Sequence, residues 1–224
     1  MPNFDSYINS HVTLNAGIYL KQESMSDLLF HLISSHLRDA SIKYPENSAV
    51  FLIGSVGRRE FIIGKSDIDF LFLNLSGADV DAIIWSLSQR AYPILSLGQD
   101  QKLMPVDGKI KEECLRHYPA LEESQLLLDE VGAAKARIQL LFEGRQVWSN
   151  APRNCFEAKC LEHYSLLKAP REGLPRVLDD IQKLEILVQK TATTYYAAKV
   201  KKYLALRIPQ ELGRRLVLLA AIYH

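Results

Sequence analysis

A Gly-Ser pair and an Asp-x-Asp pair are the residues best suited to chemistry in this chain of 224 residues. Gly54 and Ser55 end a short apolar run, and Asp67 and Asp69 open the next one after eleven intervening residues. Because side chains alternate along an extended strand, both carboxylates project to one face, about 7 Å apart along the backbone. Two acids placed in this way can converge on one ion.

A pair of neighbouring carboxylates is electrostatically costly unless a cation lies between them. Mg²⁺ is the natural candidate, because it prefers oxygen ligands and usually keeps its remaining positions for water and substrate phosphates. Gly54 permits close approach of the backbone to such a ligand, and Ser55 and the amides that open the next helix can donate to phosphate oxygens. The two halves of the motif therefore predict a site for a phosphorylated ligand and Mg²⁺.

This motif resembles that of the DNA polymerase beta-like nucleotidyltransferase superfamily, in which a hydrophobic residue precedes Gly and then Gly or Ser, and a spacer leads to Asp-hydrophobic-Asp or Glu. Ile53-Gly54-Ser55 and Asp67-Ile68-Asp69-Phe70 match it throughout. The longer pattern Gly-Ser-x-Gly-Arg-x-Glu followed by Ser-Asp-Ile-Asp looks like the bacterial branch that contains protein-modifying adenylyl- and uridylyltransferases and some antibiotic nucleotidyltransferases. The resemblance is strong over residues 49–74 and extends loosely to residue 110.

The resemblance implies transfer of a nucleoside monophosphate from a nucleoside triphosphate, with ATP as the first choice, to an acceptor with release of pyrophosphate. It also implies two Mg²⁺ ions held by three carboxylates, of which Asp67 and Asp69 are two. The third belongs on a neighbouring strand entered after a covering helix, and Asp107 occupies that place. Asp107 would also take the proton from an acceptor hydroxyl. Asp100 is the alternative, although it falls in a predicted turn, and Asp107-Gly108 is itself an ordinary turn dipeptide.

Nucleotide binding is assigned by the same resemblance to four residues: Gly54, Ser55, Arg58 and Ser66. For Arg58 a second explanation is equally good, because an ion pair with Glu60 would order the loop without any contact to a phosphate.

Helices and strands must alternate in the first half of the chain to position these residues. Apolar residues recur at helical spacing over 24–37, with Ser24 or Ser26 as the cap. Residues 49–53 and 68–73 are short apolar runs that predict buried strands, the second of them buried on both faces at its far end.

A second helix is predicted to begin at Ser76-Gly77-Ala78-Asp79 and to cover the sheet. Residues 92–97 and 101–106 are typical of two further short strands. From Lys111 onward strand signals vanish and leucines recur at three- and four-residue spacing, which predicts four or five helices. Pro175 is expected in the first turn of one of them.

The predicted fold class is α/β, with two domains. Residues 1–115 form a nucleotidyltransferase catalytic domain with a small mixed β-sheet, and residues 116–224 form a C-terminal α-helical bundle that closes one side of the cleft. The bundle would recognise the acceptor or the base. Because the sequence ends inside an apolar-periodic helix, we also consider that the native chain is longer.

Composition excludes several classes of protein. Apolar residues make up 48% of the chain, enough for a core, yet the longest apolar stretches fall far short of the roughly 20 residues that a membrane span requires. The first residues lack the basic start and apolar run of a signal peptide, so we expect a cytoplasmic protein with no membrane partner. The spacing of the three cysteines and six histidines predicts neither a disulfide framework nor a zinc site.

Charge is uneven along the chain. Residues 1–110 carry 9 basic and 12 acidic side chains, whereas residues 111–224 carry 18 and 14. Three functions remain open: a nucleotidyltransferase that modifies a protein or small-molecule acceptor, a nucleotide-binding or regulatory module of the same fold without turnover, and a nucleic-acid end-modifying enzyme. The last has only the slightly basic second half as support.

Overall fold

A computed structural model describes residues 18–39, 43–63, 66–92, 108–152 and 154–191. The chain divides into two compact units, the first formed by Met1–Ala120 with Gly144–Ala151 and the second by Leu121–Glu143 with Pro152–His224. The predicted strands at 92–97 and 101–106 lie outside the described residues, apart from Tyr92, and so do Asp100 and Asp107.

The first unit is mixed α/β and contains a four-stranded sheet of order β3-β2-β1-β4. Strand β1 pairs antiparallel with both β2 and β4, and β2 pairs parallel with β3. The strands are β1 Ala49–Ile53, β2 Ile68–Leu73, β3 Leu115–His117 and β4 Arg145–Ser149.

The two central strands confirm the prediction made from their apolar runs. All five residues of β1 are buried, and β2 is buried except at Asp69. The predicted burial of both faces at the far end of β2 is also correct, because Leu71, Phe72 and Leu73 are each at most 1% exposed. Continuous apolar runs of this length are stable as strands only where both faces are covered.

Three α-helices accompany this sheet within the described residues: α1 Ile18–Asp39, α2 Gly54–Gly57 and α3 Gly77–Gln89. The predicted start of α3 is confirmed, because the Ser76 side chain accepts from the Asp79 amide while the Asp79 side chain accepts from the Ser76 amide. This reciprocal capping box satisfies two amides that otherwise lack partners at a helix start.

The predicted helix over 24–37 is present as part of α1, but the predicted cap is wrong. Ser24 and Ser26 lie inside α1, which begins at Ile18. Ser26 is completely buried; its Oγ donates to the Gln22 carbonyl at 2.7 Å and accepts from the Phe61 amide at 3.0 Å. Ser26 thus fastens the chain after α2 to α1 instead of starting a helix.

The expectation that strands cease after Lys111 is wrong. Strand β3 begins at Leu115 and β4 spans Arg145–Ser149, inside the region predicted to be helical. The β4 sequence Arg-Gln-Val-Trp-Ser has one buried residue, Val147, so it lacks the apolar run that identified the central strands. Its conformation comes from pairing with the edge of β1. Gly144–Ala151 therefore belongs to the first unit, although it lies within the region predicted to be a helical domain.

Helices dominate the described part of the second unit: α4 Val131–Phe142, α5 Cys155–His163 and α6 Pro170–Thr191. Pro175 lies inside α6 and not in its first turn, because α6 already begins at Pro170. None of the helices in the described ranges is long and apolar enough to cross a bilayer.

A buried ionic network holds these helices together. Arg137 of α4 is completely buried, and its Nη2 lies 2.6 Å from Asp180 Oδ2 of α6. The Tyr164 hydroxyl donates to the same oxygen at 2.6 Å, and Arg137 Nη1 donates to the carbonyls of Leu126 and Leu128. A buried charge is tolerated only when it is paired and hydrogen-bonded, and both conditions are met here.

Candidate functional site

The end of β1 and the start of β2 meet at one end of the sheet. Ile53, the last residue of β1, is opposite Asp69 in the antiparallel register of the two strands. Side chains of paired residues share a face of a sheet. Ile68 and Phe70 contribute to the core, so the alternation of β2 directs Asp69 to the other face, where it is half-buried.

Gly54 occupies a position that other residues cannot occupy without strain. Its φ of +64° lies in the left-handed region, and a Cβ added there would be 2.2 Å from Asp69 Oδ2. Real Cβ atoms do not approach an oxygen so closely. The glycine therefore allows the Asp69 carboxylate to lie directly against the turn that follows β1.

Ser55 links this turn to the other acid. Its Oγ donates to the main-chain carbonyl of Asp67 at 3.3 Å, across the start of β2. The single turn of α2 is closed behind it, because the Arg58 amide donates to the Gly54 carbonyl and the Glu60 amide donates to the Ser55 carbonyl, at 3.0 and 2.7 Å. The structure thus brings the Gly-Ser pair and the Asp-x-Asp pair together.

An arginine that the sequence did not single out lies beside these acids. Strand β3 runs parallel to β2 with Arg116 level with Asp69. Arg116 Nε is 2.9 Å from Asp67 Oδ2, and the two side chains are 64% and 26% exposed. Only a weak signal marks this residue in the sequence, since the Leu-Arg-His of β3 is too short for a recognisable alternation of apolar and polar residues.

The third carboxylate of the predicted site is not among the described residues. Asp107 and its alternative Asp100 both lie outside them. Within the described ranges, no three side chains of His, Cys, Asp or Glu are grouped so that they could hold a metal ion. On β3, the residue level with Asp69 is Arg116, a cation and not an acid.

Arg58 and Ser66, predicted to bind nucleotide, have local partners. Arg58 Nε is 3.0 Å from Glu60 Oε2, with side chains 14% and 22% exposed, so the loop-ordering ion pair considered for Arg58 is present. Ser66 Oγ accepts from the Ile62 amide at 3.1 Å, and the Ser66 amide donates to the Ile62 carbonyl at 3.0 Å. Arg58 is thus bonded to Glu60 and Ser66 to Ile62, and a nucleotide contact of either residue stays a prediction.

Acidic side chains of α1 bind both the segment after α2 and β4. Arg59, with a φ of 61°, pairs with Glu23 at 2.8 Å and with Asp27 at 3.2 Å. Arg145 of β4 pairs with the same Asp27 oxygen at 2.8 Å, and its guanidinium lies 4.1 Å from the centre of the Phe30 ring. Burial lowers the pKa of Arg145, which the Asp27 carboxylate partly opposes. These ion pairs were also missed from the sequence, because their members are far apart in the chain.

Four of the predicted site residues therefore form one cluster, Gly54, Ser55, Asp67 and Asp69, and Arg116 joins it from β3. Comparison of the chain with models of known protein families gives no match, and comparison with curated proteins gives no significant match either.

Proposed function

We propose that this protein is a magnesium-dependent nucleotidyltransferase that transfers a nucleoside monophosphate from a nucleoside triphosphate to a protein or small-molecule acceptor. The observation that carries the proposal is the contact of the Gly-Ser turn with the two acids. Gly54 leaves room for Asp69 Oδ2 where any other residue would place its Cβ, and Ser55 donates to the backbone of Asp67. This contact supports the proposal, because turns of this kind can bind phosphate and paired carboxylates can bind a metal ion.

The donor set suits Mg²⁺. Asp67 and Asp69 offer carboxylate oxygens from one end of one strand, both are partly accessible to solvent, and hard cations of this kind prefer such oxygens. A bound Mg²⁺ would neutralise charge on the triphosphate and polarise the phosphorus that is attacked. Nucleotidyl transfer depends mainly on positioning and on charge stabilisation of this kind.

Each residue then has a defined task in the reaction. The turn at Gly54 and Ser55 holds phosphate oxygens, with Arg58 and Ser66 in the adjoining segment. The acceptor hydroxyl oxygen forms a bond to the α-phosphorus, the bond from that phosphorus to the bridging oxygen breaks, and pyrophosphate leaves. Asp107 takes the proton of the hydroxyl.

Substitution of the acids tests the proposal. Pyrophosphate release from ATP and the other triphosphates would be followed with Mg²⁺ and a cell extract as the source of acceptor, first in the wild type. Asp67→Asn and Asp69→Asn should each reduce the rate by on the order of 100-fold or more, because each removes a metal-binding charge from the reacting centre. EDTA should abolish release by the wild type.

Asp81→Asn is the matched control, because Asp81 is an exposed acid on α3 of the same unit. It should leave the rate unchanged. Full activity in Asp69→Asn would count against the proposal, as would a wild-type melting temperature that Mg²⁺ and triphosphate together fail to raise.

A second function, nucleotide binding without turnover, is favoured by one observation. Strand β3, which pairs with β2, carries Arg116 and not an acid level with Asp69. A rise in melting temperature with Mg²⁺ and ATP, without pyrophosphate release in any extract, would favour this module over the enzyme.

A further inference from the structure

Arg116 is a cation that lies beside the two acids proposed to bind a metal ion. It lies on the same face of the sheet as Asp69, one strand away, and its Nε is 2.9 Å from the Asp67 carboxylate. A positive side chain at this place partly neutralises the negative charge that would attract a metal ion. The ion pair and a divalent cation therefore compete for the same carboxylate.

The pair is also easily broken. Arg116 is 64% exposed, and exposed ion pairs contribute little to stability because water screens them and side-chain entropy opposes them. The backbone of Arg116 is held in β3 by its parallel register with β2, so the guanidinium can leave Asp67 while its anchor point stays beside the acids. The guanidinium has further donors at Nη1 and Nη2, in the planar arrangement that matches phosphate oxygens.

We propose that Arg116 alternates between two partners: it pairs with Asp67 until a divalent cation binds there, and then contacts the phosphates of the incoming nucleoside triphosphate. This inference rests on the proposed function, because it takes Asp67 as a metal ligand. Its consequence is coupling between the two ligands. Binding of the metal releases the cation that helps to bind the nucleotide, so metal-free protein has lower affinity for triphosphate.

Removal of the charge at Arg116 should have effects of opposite sign on the two ligands. In Arg116→Gln, the Kd for Mn²⁺ alone should fall roughly threefold to tenfold, because the competing cation is gone. At saturating Mn²⁺, the Kd for ATP should rise about tenfold, because charge-assisted contacts to phosphate are lost. AMP binding should change less than ATP binding, since most of the phosphate charge is absent. Calorimetric titration measures all three affinities on the whole chain.

Two further variants control the experiment. Arg116→Lys keeps the charge without the planar fork, so it should restore Mn²⁺ affinity to the wild-type value and recover ATP binding only in part. Arg38→Gln removes an exposed guanidinium from α1 of the same unit and should change neither Kd. Melting temperatures of all variants establish that each one is folded.

The outcomes separate the inference from the function on which it rests. If Arg116 had a purely structural role, Arg116→Gln would weaken Mn²⁺ binding and ATP binding together. This result, or an unchanged Kd for either ligand, overturns the inference. If the wild type binds Mn²⁺ and ATP normally, the proposed function survives that failure. If the wild type binds neither, the proposed function fails first and the inference with it.

Discussion

Among the residues of the site, Gly54 has the least freedom to change. Two independent constraints act on it: a left-handed φ of +64° and the Asp69 carboxylate 2.2 Å from the place of a Cβ. A side chain at this position must either strain the backbone or displace Asp69. Substitution of Gly54 therefore affects both the stability of the first unit and the geometry of Asp67 and Asp69.

Gly54→Ala should lower the free energy of unfolding by about 1–3 kcal/mol, through strain in the left-handed region and the clash with Asp69. Mn²⁺ affinity and pyrophosphate release should fall with it, because Asp69 has to move. Urea unfolding and the binding assays measure these changes.

Gly77→Ala is the control, since no atom lies within 4 Å of a Cβ at Gly77 in the first turn of α3. Alanine there should leave stability unchanged or raise it by up to about 1 kcal/mol. If Gly54→Ala is as harmless as this control, the Asp69 carboxylate does not restrict the residue at position 54.

At the scale of elements, α1 and α3 are joined by a histidine. His36 Nε2 lies 2.7 Å from Ser86 Oγ, and Arg90 Nη1 lies 3.0 Å from His36 Nδ1. A guanidinium can only donate, so Nδ1 is the acceptor and Nε2 carries the hydrogen. Burial, followed by the Arg90 charge, lowers the pKa of His36 below its ordinary value of 6.5, and Asp39 opposes this in part.

The lowered pKa of His36, caused mainly by burial, makes the first unit less stable in acid. Below about pH 6.5 the unfolded chain binds a proton at His36 that the folded chain resists, so the free energy of unfolding decreases as the pH falls from 7 through 6.5 toward the lower pKa of the folded state. By about pH 8 the imidazole is neutral in both states and contributes no further pH dependence. His36→Gln should flatten the decrease between pH 7 and 5.5.

Tryptophan fluorescence measures this effect in the first unit. Both tryptophans of the chain, Trp85 and Trp148, belong to it, whereas His163, whose pKa burial also lowers, belongs to the second unit. Urea titrations of wild type and His36→Gln would be compared at each pH. Parallel stability curves for the two proteins would show that His36 does not cause the acid sensitivity.

In the molecule as a whole, the first unit depends on Gly144–Ala151, a segment separated in the sequence from the rest of that unit by Leu121–Glu143. Strand β4 covers the edge of β1, the Ser34 hydroxyl of α1 donates to the Val147 carbonyl at 2.9 Å, and Arg145 pairs with Asp27. Removal of β4 would expose the backbone of a strand whose five residues are all buried.

A fragment of residues 1–120 should therefore not fold, although it contains the whole predicted catalytic domain of residues 1–115. We expect it to aggregate or to unfold without a cooperative transition, because the edge of β1 is left unpaired. Circular dichroism and urea unfolding, with the full chain as the control, provide the measurement. A soluble fragment with a cooperative transition would mean that β4 is dispensable.

How much was predictable from the sequence differs from element to element. The strands at 49–53 and 68–73 and the helix that begins after Ser76 are encoded by local patterns, and each was placed correctly. The helical stripe of α1 was recognised as well, but its cap was not, because serine is also used inside helices when its hydroxyl finds a partner.

The candidate site shows the same division. The cluster of Gly54, Ser55, Asp67 and Asp69 follows from residue types and their spacing around two strands. Whether Asp107 completes it remains a prediction, since Asp107 lies outside the described residues. Arg116 and Arg145 were not predictable, because each meets its partner only through strand pairing or across the sheet.

The central strands, the capping box of α3 and the grouping of a Gly-Ser turn with two acids are encoded locally, because all of these depend on residues close together in the chain. The strand at Arg145–Ser149 and the pairing of Arg116 with Asp67 depend instead on contacts between segments that are distant in the sequence. Strand β3 has three residues and β4 has one buried residue, so neither contains a recognisable apolar run. Their conformation and register come from hydrogen bonds to β2 and β1, which no local pattern encodes.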